Sequence, residues 1–234
     1  MREKINFIES AKKSLEGLNL SLIKLDEGFD RISVEGGTIN LDVCNTEKIE
    51  KVVFSSIQLN KMSVSEESVI VWPEDGYDLP VMWLNLTRLT GMNIAVFDFL
   101  PLMDIVVWEE YGENFLPALV SAKKRAIEAF KGEIIEKDFD LSSIVAWTLS
   151  PYNMVLQLTD AGLFLIPAVI NDYCSIYTGL WKNASLFPND EESNFCKRKK
   201  KAVRKLMKEN DAGYPIMTNI FGEEITKKVF DIIF

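Results

Sequence analysis

Apolar positions in this chain recur first at helical spacing, then with a period of two, then at helical spacing again, and the last change falls at Pro101. Ile5, Ile8, Ala11, Leu15 and Leu18 predict an amphipathic helix over residues 2–18, ended by Gly17. Leu20, Leu22 and Leu25, then Ile32, Val34, Ile39, Leu41 and Val43, alternate with polar residues around Gly36-Gly37, the pattern of a strand, a hairpin turn and another strand. Residues 51–59, 68–72, 81–87 and 93–99 continue the series. Successive strands with short turns and no helix between them predict an antiparallel meander, because parallel neighbours need a crossover connection.

Beyond Pro101, residues 115–131 carry Leu116, Leu119, Val120, Ala126, Ile127 and Phe130 against Lys123, Lys124 and Arg125, which predicts a helix with one apolar face. Residues 159–183 predict a long, nearly apolar, buried helix kinked at Pro167. Residues 189–210 predict its polar counterpart, with Asp190, Glu191 and Glu192 at the start and basic residues further on, the order that the helix dipole favours. A short amphipathic helix closes the chain. A sheet followed by helices predicts an α+β layered sandwich with a central antiparallel sheet. Nothing reads as a linker or a repeat, so residues 1–234 are expected to form a single domain.

Charge narrows the function. The chain has 26 basic and 35 acidic residues and a net charge of −9, which argues against a general nucleic-acid binder. Three widely spaced cysteines suggest neither a disulfide framework nor a zinc site, and a cytoplasmic setting is expected. The N-terminal segment is charged throughout, unlike a signal peptide, and the run 161–169 is too short to span a bilayer, so no membrane association is expected. Histidine is absent. That removes the commonest metal ligand and neutral-pH proton shuttle, and excludes Ser-His-Asp or Cys-His catalysis. No metal site is expected, and no glycine-rich nucleotide-binding motif is present.

Three segments carry a resemblance. Asn210-Asp211-Ala212-Gly213 precedes the run Met217 to Glu224 and the closing Val229-Phe230-Asp231-Ile232-Ile233-Phe234. Upstream stand Trp72-Pro73, Tyr77-Asp78-Leu79-Pro80, Gly91 and the run Ile94 to Pro101, and between the two lies Thr148-Leu149-Ser150-Pro151-Tyr152-Asn153-Met154-Val155-Leu156. In this order they resemble the ferredoxin-dependent bilin reductases, related to the red chlorophyll catabolite reductases. The resemblance covers the middle of the sheet to the C-terminus. It implies a three-layer α/β/α sandwich that reduces a linear tetrapyrrole through substrate radicals. It also implies electrons from reduced ferredoxin or flavodoxin, no tightly bound cofactor, and a monomer.

The resemblance also assigns roles. Asp211 takes the position of a family carboxylate close to the tetrapyrrole that takes part in proton delivery. A carboxylate suits that work because burial raises its pKa toward neutrality; otherwise it is a helix-ending turn residue. Asn85 stands where many members place a catalytic Asp, and an amide cannot supply that proton. Ser68 stands where the phycocyanobilin-forming branch has a His. Asp98 is weighed equally as a site residue and as a structural carboxylate bonding a turn near Pro101. Lys197, Arg198, Lys199, Lys200 and Lys201 form the densest positive segment, a landing site for an acidic electron donor or a solvated helix face. Lys123, Lys124 and Arg125 extend that patch if their helix packs alongside. The same basic residues, or Arg88 and Lys182, are alternative candidates for pairing with the tetrapyrrole propionates. Two other readings stay open: a reductase of another open-chain tetrapyrrole, and a non-catalytic bilin-binding protein, which Asn85 favours.

Overall fold

The structure is a computed structural model that describes residues 6–137 and 144–234. Its centre is a nine-stranded antiparallel sheet. The strands are β1 (Ser21–Ile23), β2 (Arg31–Val34), β3 (Gly37–Thr46), β4 (Ile49–Leu59), β5 (Val64–Pro73), β6 (Val81–Leu89), β7 (Met92–Leu100), β8 (Ile134–Lys137) and β9 (Met154–Leu158). They run in the order β1-β3-β4-β5-β6-β7-β9-β8, and β2 shares the β3 edge. The meander from β3 to β7 is the one that the two-residue period predicts. The sheet does not stop at Pro101, however, because β9 pairs with β7 and β8 with β9. The signal for β9 was Met154, Leu156 and Leu158 alternating with Val155 and Gln157, too short a run to separate from the helical texture around it.

Six α-helices among the described residues cover the sheet: α1 (Phe7–Ser14), α2 (Glu109–Ala129), α3 (Ile166–Asn183), α4 (Asp190–Glu209), α5 (Gly213–Phe221) and α6 (Glu223–Ile233). Because residues paired across neighbouring strands share a face, the register sorts the side chains into two sets. Phe54, Val69, Leu84, Phe97 and Met154 lie in one row of the first face. That face packs on α2 and α3 through Phe99 against Phe115, Tyr173 and Tyr177, and α1 lies over Phe54. The second face carries α4, α5 and α6. There Trp72 Nε1 donates to the Ile233 carbonyl at 2.9 Å and Lys51 Nζ to the Ile232 carbonyl at 2.7 Å. Gly37 admits the close approach of α5: a Cβ there would lie 2.4 Å from the Gln58 carbonyl oxygen and 3.0 Å from Phe221. The result is the expected three-layer α/β/α sandwich.

Several helix boundaries differ from their predicted positions. The first helix ends at Ser14 and passes into a 3-10 turn, Glu16–Leu18, that contains Gly17; the left-handed Asn19 (φ 52°) closes it. Residues 2–5, with Ile5, lie outside the described residues. Pro167 does not kink a helix, because α3 begins at Ile166 and places the proline in the first turn, where its missing N–H has no intrahelical acceptor to lose. Helix α2 starts six residues before its predicted start at Phe115, at Glu109, and carries Pro117 inside it. The segment Gly162–Asn183 has the length and hydropathy to cross a membrane. Here Ile166, Val169, Ile170, Tyr173, Cys174 and Tyr177 are buried in the core. Helix α4 begins as its acidic start suggests: the Asn189 side chain accepts from the Glu192 amide at 3.0 Å and donates to the Glu192 carboxylate at 2.8 Å.

Candidate active site

The second face of the sheet is mostly apolar, with one cluster of polar side chains in its middle strands. A row across the strands reads Leu41, Ser55, Ser68, Asn85, Val96 and Val155, and the next reads Ile39, Ile57, Glu66, Thr87, Ile94 and Gln157. Ser55, Ser68, Glu66, Asn85 and Thr87 therefore make a contiguous polar island in the middle strands. Its members are joined: Ser55 and Ser68 share a 2.8 Å hydroxyl hydrogen bond, Thr87 Oγ1 donates to Asn85 Oδ1 at 3.1 Å, and Asn85 Nδ2 donates to Glu66 Oε1 at 3.0 Å. Burial pushes the Glu66 carboxyl up to about 7, helped by the negative charge of Asp211, against the opposing pull of the Asn85 hydrogen bond.

Helix α4 brings Asp211 to this patch. It follows β5 backwards along the sheet: Lys200 Nζ donates to the Pro73 carbonyl at 3.0 Å, and the Arg204 guanidinium lies 4.6 Å above the Trp72 ring. Past the C-cap residue Asn210, Asp211 comes close enough for its charge to act on Glu66. Its Oδ1 accepts the Gly213 amide at 2.7 Å and so starts α5, while Oδ2 accepts no hydrogen bond among the described residues. Asp211 is thus a turn carboxylate whose charge also reaches Glu66 on the polar island. Burial raises its pKa and the Gly213 amide opposes the rise.

Ser68, Asn85 and Asp211 are brought together; other candidate residues are placed elsewhere. Asp98 lies on the same face but is sealed: Ser150 donates to it through its amide at 2.8 Å and its hydroxyl at 2.5 Å. The turn it holds is therefore the one at Ser150 rather than one near Pro101. Burial raises its carboxyl to about 6 despite these bonds. Arg88 points to the opposite face, where it pairs with Glu67 and donates to Ser65 Oγ at 3.1 Å. Lys123, Lys124 and Arg125 also belong to the opposite layer, on α2; Lys123 donates to the Asn153 carbonyl at 2.7 Å and Arg125 grips Asp172 in two hydrogen bonds. They do not extend the α4 patch.

The basic run on α4 divides by helical phase. Lys200 is buried with 6% of its side chain exposed, bonded to Glu50 at 3.0 Å and paired with Asp75. Lys199 is half-buried and donates to the Met103 carbonyl at 2.8 Å. Lys197, 3.5 Å from Asp75, Arg198 and Lys201 are exposed. Together with Glu50, Glu74, Asp75, Lys200 and Arg204 these three line a charged cleft of about 530 Å³. Burial works against the charges of Glu50 and Asp75, yet Lys200, aided by Arg204 and Lys197 respectively, holds both carboxyls below their usual range.

Glu66 is the residue that the sequence reading missed. The predicted strand covers residues 68–72 and so leaves out Glu66. A signal was present: β4 was predicted nine residues long and β5 only five, and an antiparallel partner of matching length would have placed Glu66 on the face of Ser68. Among the described residues no group of three or more Cys, Asp or Glu side chains is placed to hold a metal ion.

The fold is an α/β/α sandwich whose sheet presents carboxyl and amide groups to a helix-covered face. The sequence supplies the family: residues 8–233 match the family model of the ferredoxin-dependent bilin reductases. The chain belongs to that family, and it is an oxidoreductase. Among solved structures it is similar to selenomethionine phytochromobilin synthase from tomato in complex with biliverdin, with 17% identity and a TM-score of 0.78 over 95% of this chain and 78% of that one. This likeness shows the fold. A search of curated proteins finds no match.

Proposed function

We propose that this protein reduces a biliverdin-like linear tetrapyrrole, bound between the second sheet face and the α4–α6 layer, with single electrons from reduced ferredoxin. Each electron enters the conjugated bilin to give a substrate radical, and a proton follows from the protein, so that two electrons and two protons saturate one double bond. The chain's part is to orient the substrate, exclude water and hold protons at defined carboxyls. No cofactor is held tightly in this reading, and the exposed basic residues of α4 receive an acidic donor. The observation that carries it is the convergence of Asp211, Ser68 and Asn85, from different layers, on one polar patch of a mostly apolar face.

The test is anaerobic incubation of the protein with biliverdin and reduced ferredoxin. The bound bilin's visible band is expected to shift on binding and change again on reduction. Asp211→Asn is expected to keep the first change and stall the second, with an organic radical persisting by electron paramagnetic resonance, because electrons enter while their protons do not. A protein that binds biliverdin and never reduces it is a bilin carrier instead.

A further inference from the structure

We propose that Glu66 is the acid on the sheet that protonates the bilin, acting as a pair with Asp211, and that Asn85 is its positioning residue. The inference rests on the functional reading above and adds a group and a division of labour.

The hydrogen-bond order fixes the roles. Thr87 Oγ1 donates to Asn85 Oδ1 at 3.1 Å, so the amide must turn its N–H side away, and that side donates to Glu66 Oε1 at 3.0 Å. An amide in this position cannot release a proton, but it can hold a carboxyl in one orientation. Glu66 Oε2 makes no hydrogen bond among the described residues and is left to face whatever lies on the sheet. The groups around Glu66 supply no compensating cation. Ile57 stands opposite on β4, Thr87 and Asn85 on β6 are neutral, and Asp211 from the α4–α5 turn is another acid. Arg88 is committed to Glu67 on the other face. Two carboxyls with no cation between them, on an apolar surface, are cheaper with one proton than with none, which suits a proton reserve held for a nearby acceptor. The rise of the Glu66 carboxyl to about 7 agrees with this geometry.

The step balances as follows. Reduced ferredoxin is oxidised by one electron and the bilin gains it. The Glu66 O–H bond then breaks and a new O–H or C–H bond forms on the bilin, at a lactam oxygen or a carbon of the conjugated system. The Glu66 carboxylate left behind takes up a solvent proton relayed through Asp211 before the second electron arrives, and the same transfer repeats.

Glu66→Gln tests this, because glutamine keeps the oxygen that accepts from Asn85 and so preserves the fold. The variant is expected to bind biliverdin with an unchanged band position. It should accept the first electron, and convert the resulting radical to product about 100-fold more slowly or worse. A pH titration of the bound bilin's band in the wild type is expected to show a transition near 7 that Glu66→Gln lacks. The double variant Glu66→Gln/Asn85→Asp, which returns a carboxyl to a neighbouring atom position, is expected to recover part of the rate; a purely structural glutamate would not be rescued this way. A Glu66→Gln variant with wild-type turnover and pH profile overturns the assignment, as does one that simply loses biliverdin. If the wild type itself never reduces the bound bilin, the functional reading fails, and the proton transfer assigned to Glu66 fails with it.

Discussion

Replacing Lys200 with methionine removes the one buried ammonium of the α4 layer and keeps most of its apolar stem. In the wild type that ammonium sits at 3.0 Å from both Glu50 Oε2 and the Pro73 carbonyl oxygen, and pairs with Asp75 as well. Its loss leaves a carbonyl without its donor and two carboxylates with less compensation. Breaking a buried pair from one side costs on the order of 3–5 kcal/mol. Arg204 stays 2.8 Å from Glu50, and both acids are about a third exposed, so the lower end, about 3 kcal/mol, applies. For a chain of this length that lowers Tm by roughly 6–12 °C. Thermal unfolding followed by circular dichroism at pH 7 measures it, with the exposed Lys201→Met as a control expected to move Tm by no more than about 2 °C. The sign of the pH dependence is fixed. Glu50 and Asp75 have folded pKa values below their ordinary 4.5 and 3.8, so their contribution is complete above those values and is lost as pH falls through the folded ones. The gap between wild type and variant should therefore narrow below about pH 4. A Lys200→Met protein as stable as the control, or a gap that widens in acid, would refute the reasoning.

Charge reversal aimed at the electron donor has to avoid Lys200 for the same reason. Arg198→Glu with Lys201→Glu is expected to slow electron delivery from ferredoxin several-fold at low ionic strength and less at high salt, with biliverdin binding intact; equal rates would leave those residues as a solvated face. Asp98→Asn is expected to flatten the stability profile between about pH 4 and 6. The wild-type carboxyl, raised from 3.8 to about 6, favours the folded state most below its unfolded value and loses up to about 3 kcal/mol as pH rises through the folded one. Urea unfolding at several pH values tests it, and parallel curves for the two proteins would remove Asp98 from the pH dependence.

The sheet is legible in the sequence where polar and apolar residues alternate, as in β3, and where apolar runs stand between clear turns, as in β6 and β7, and it is lost where function intrudes. Glu66 occupies an inward position of β5, so the acid that matters most to the site erased the periodicity by which its own strand would have been found. Pro167 suggests a kink in the sequence because a helix start leaves little mark when the residues before it are equally apolar. The basic run on α4 looked uniform because composition does not carry helical phase. Only the packing of Lys200 against Pro73, with Arg198 and Lys201 turned outward, separates anchor from surface. Asp211, Ser68 and Asn85 were found through motif order, and their meeting in space follows from the antiparallel register of β5 with β6 and from the path of α4.

Glu66 and Glu67 are chemically the same residue written twice, and the pleat alone makes them different acids. One faces Arg88 across the sheet's far side; its neighbour faces a second carboxyl and an amide. A slip of β5 by a single residue would exchange their faces. The doubled glutamate means that such an error during hairpin formation would still present a carboxyl to each side, while Val69 would replace Ser68 opposite Asn85 and leave Ser55 without its hydroxyl partner. Register fidelity in this hairpin is thus enforced by the serines and the aliphatic residues, and the acid is tolerant of the mistake.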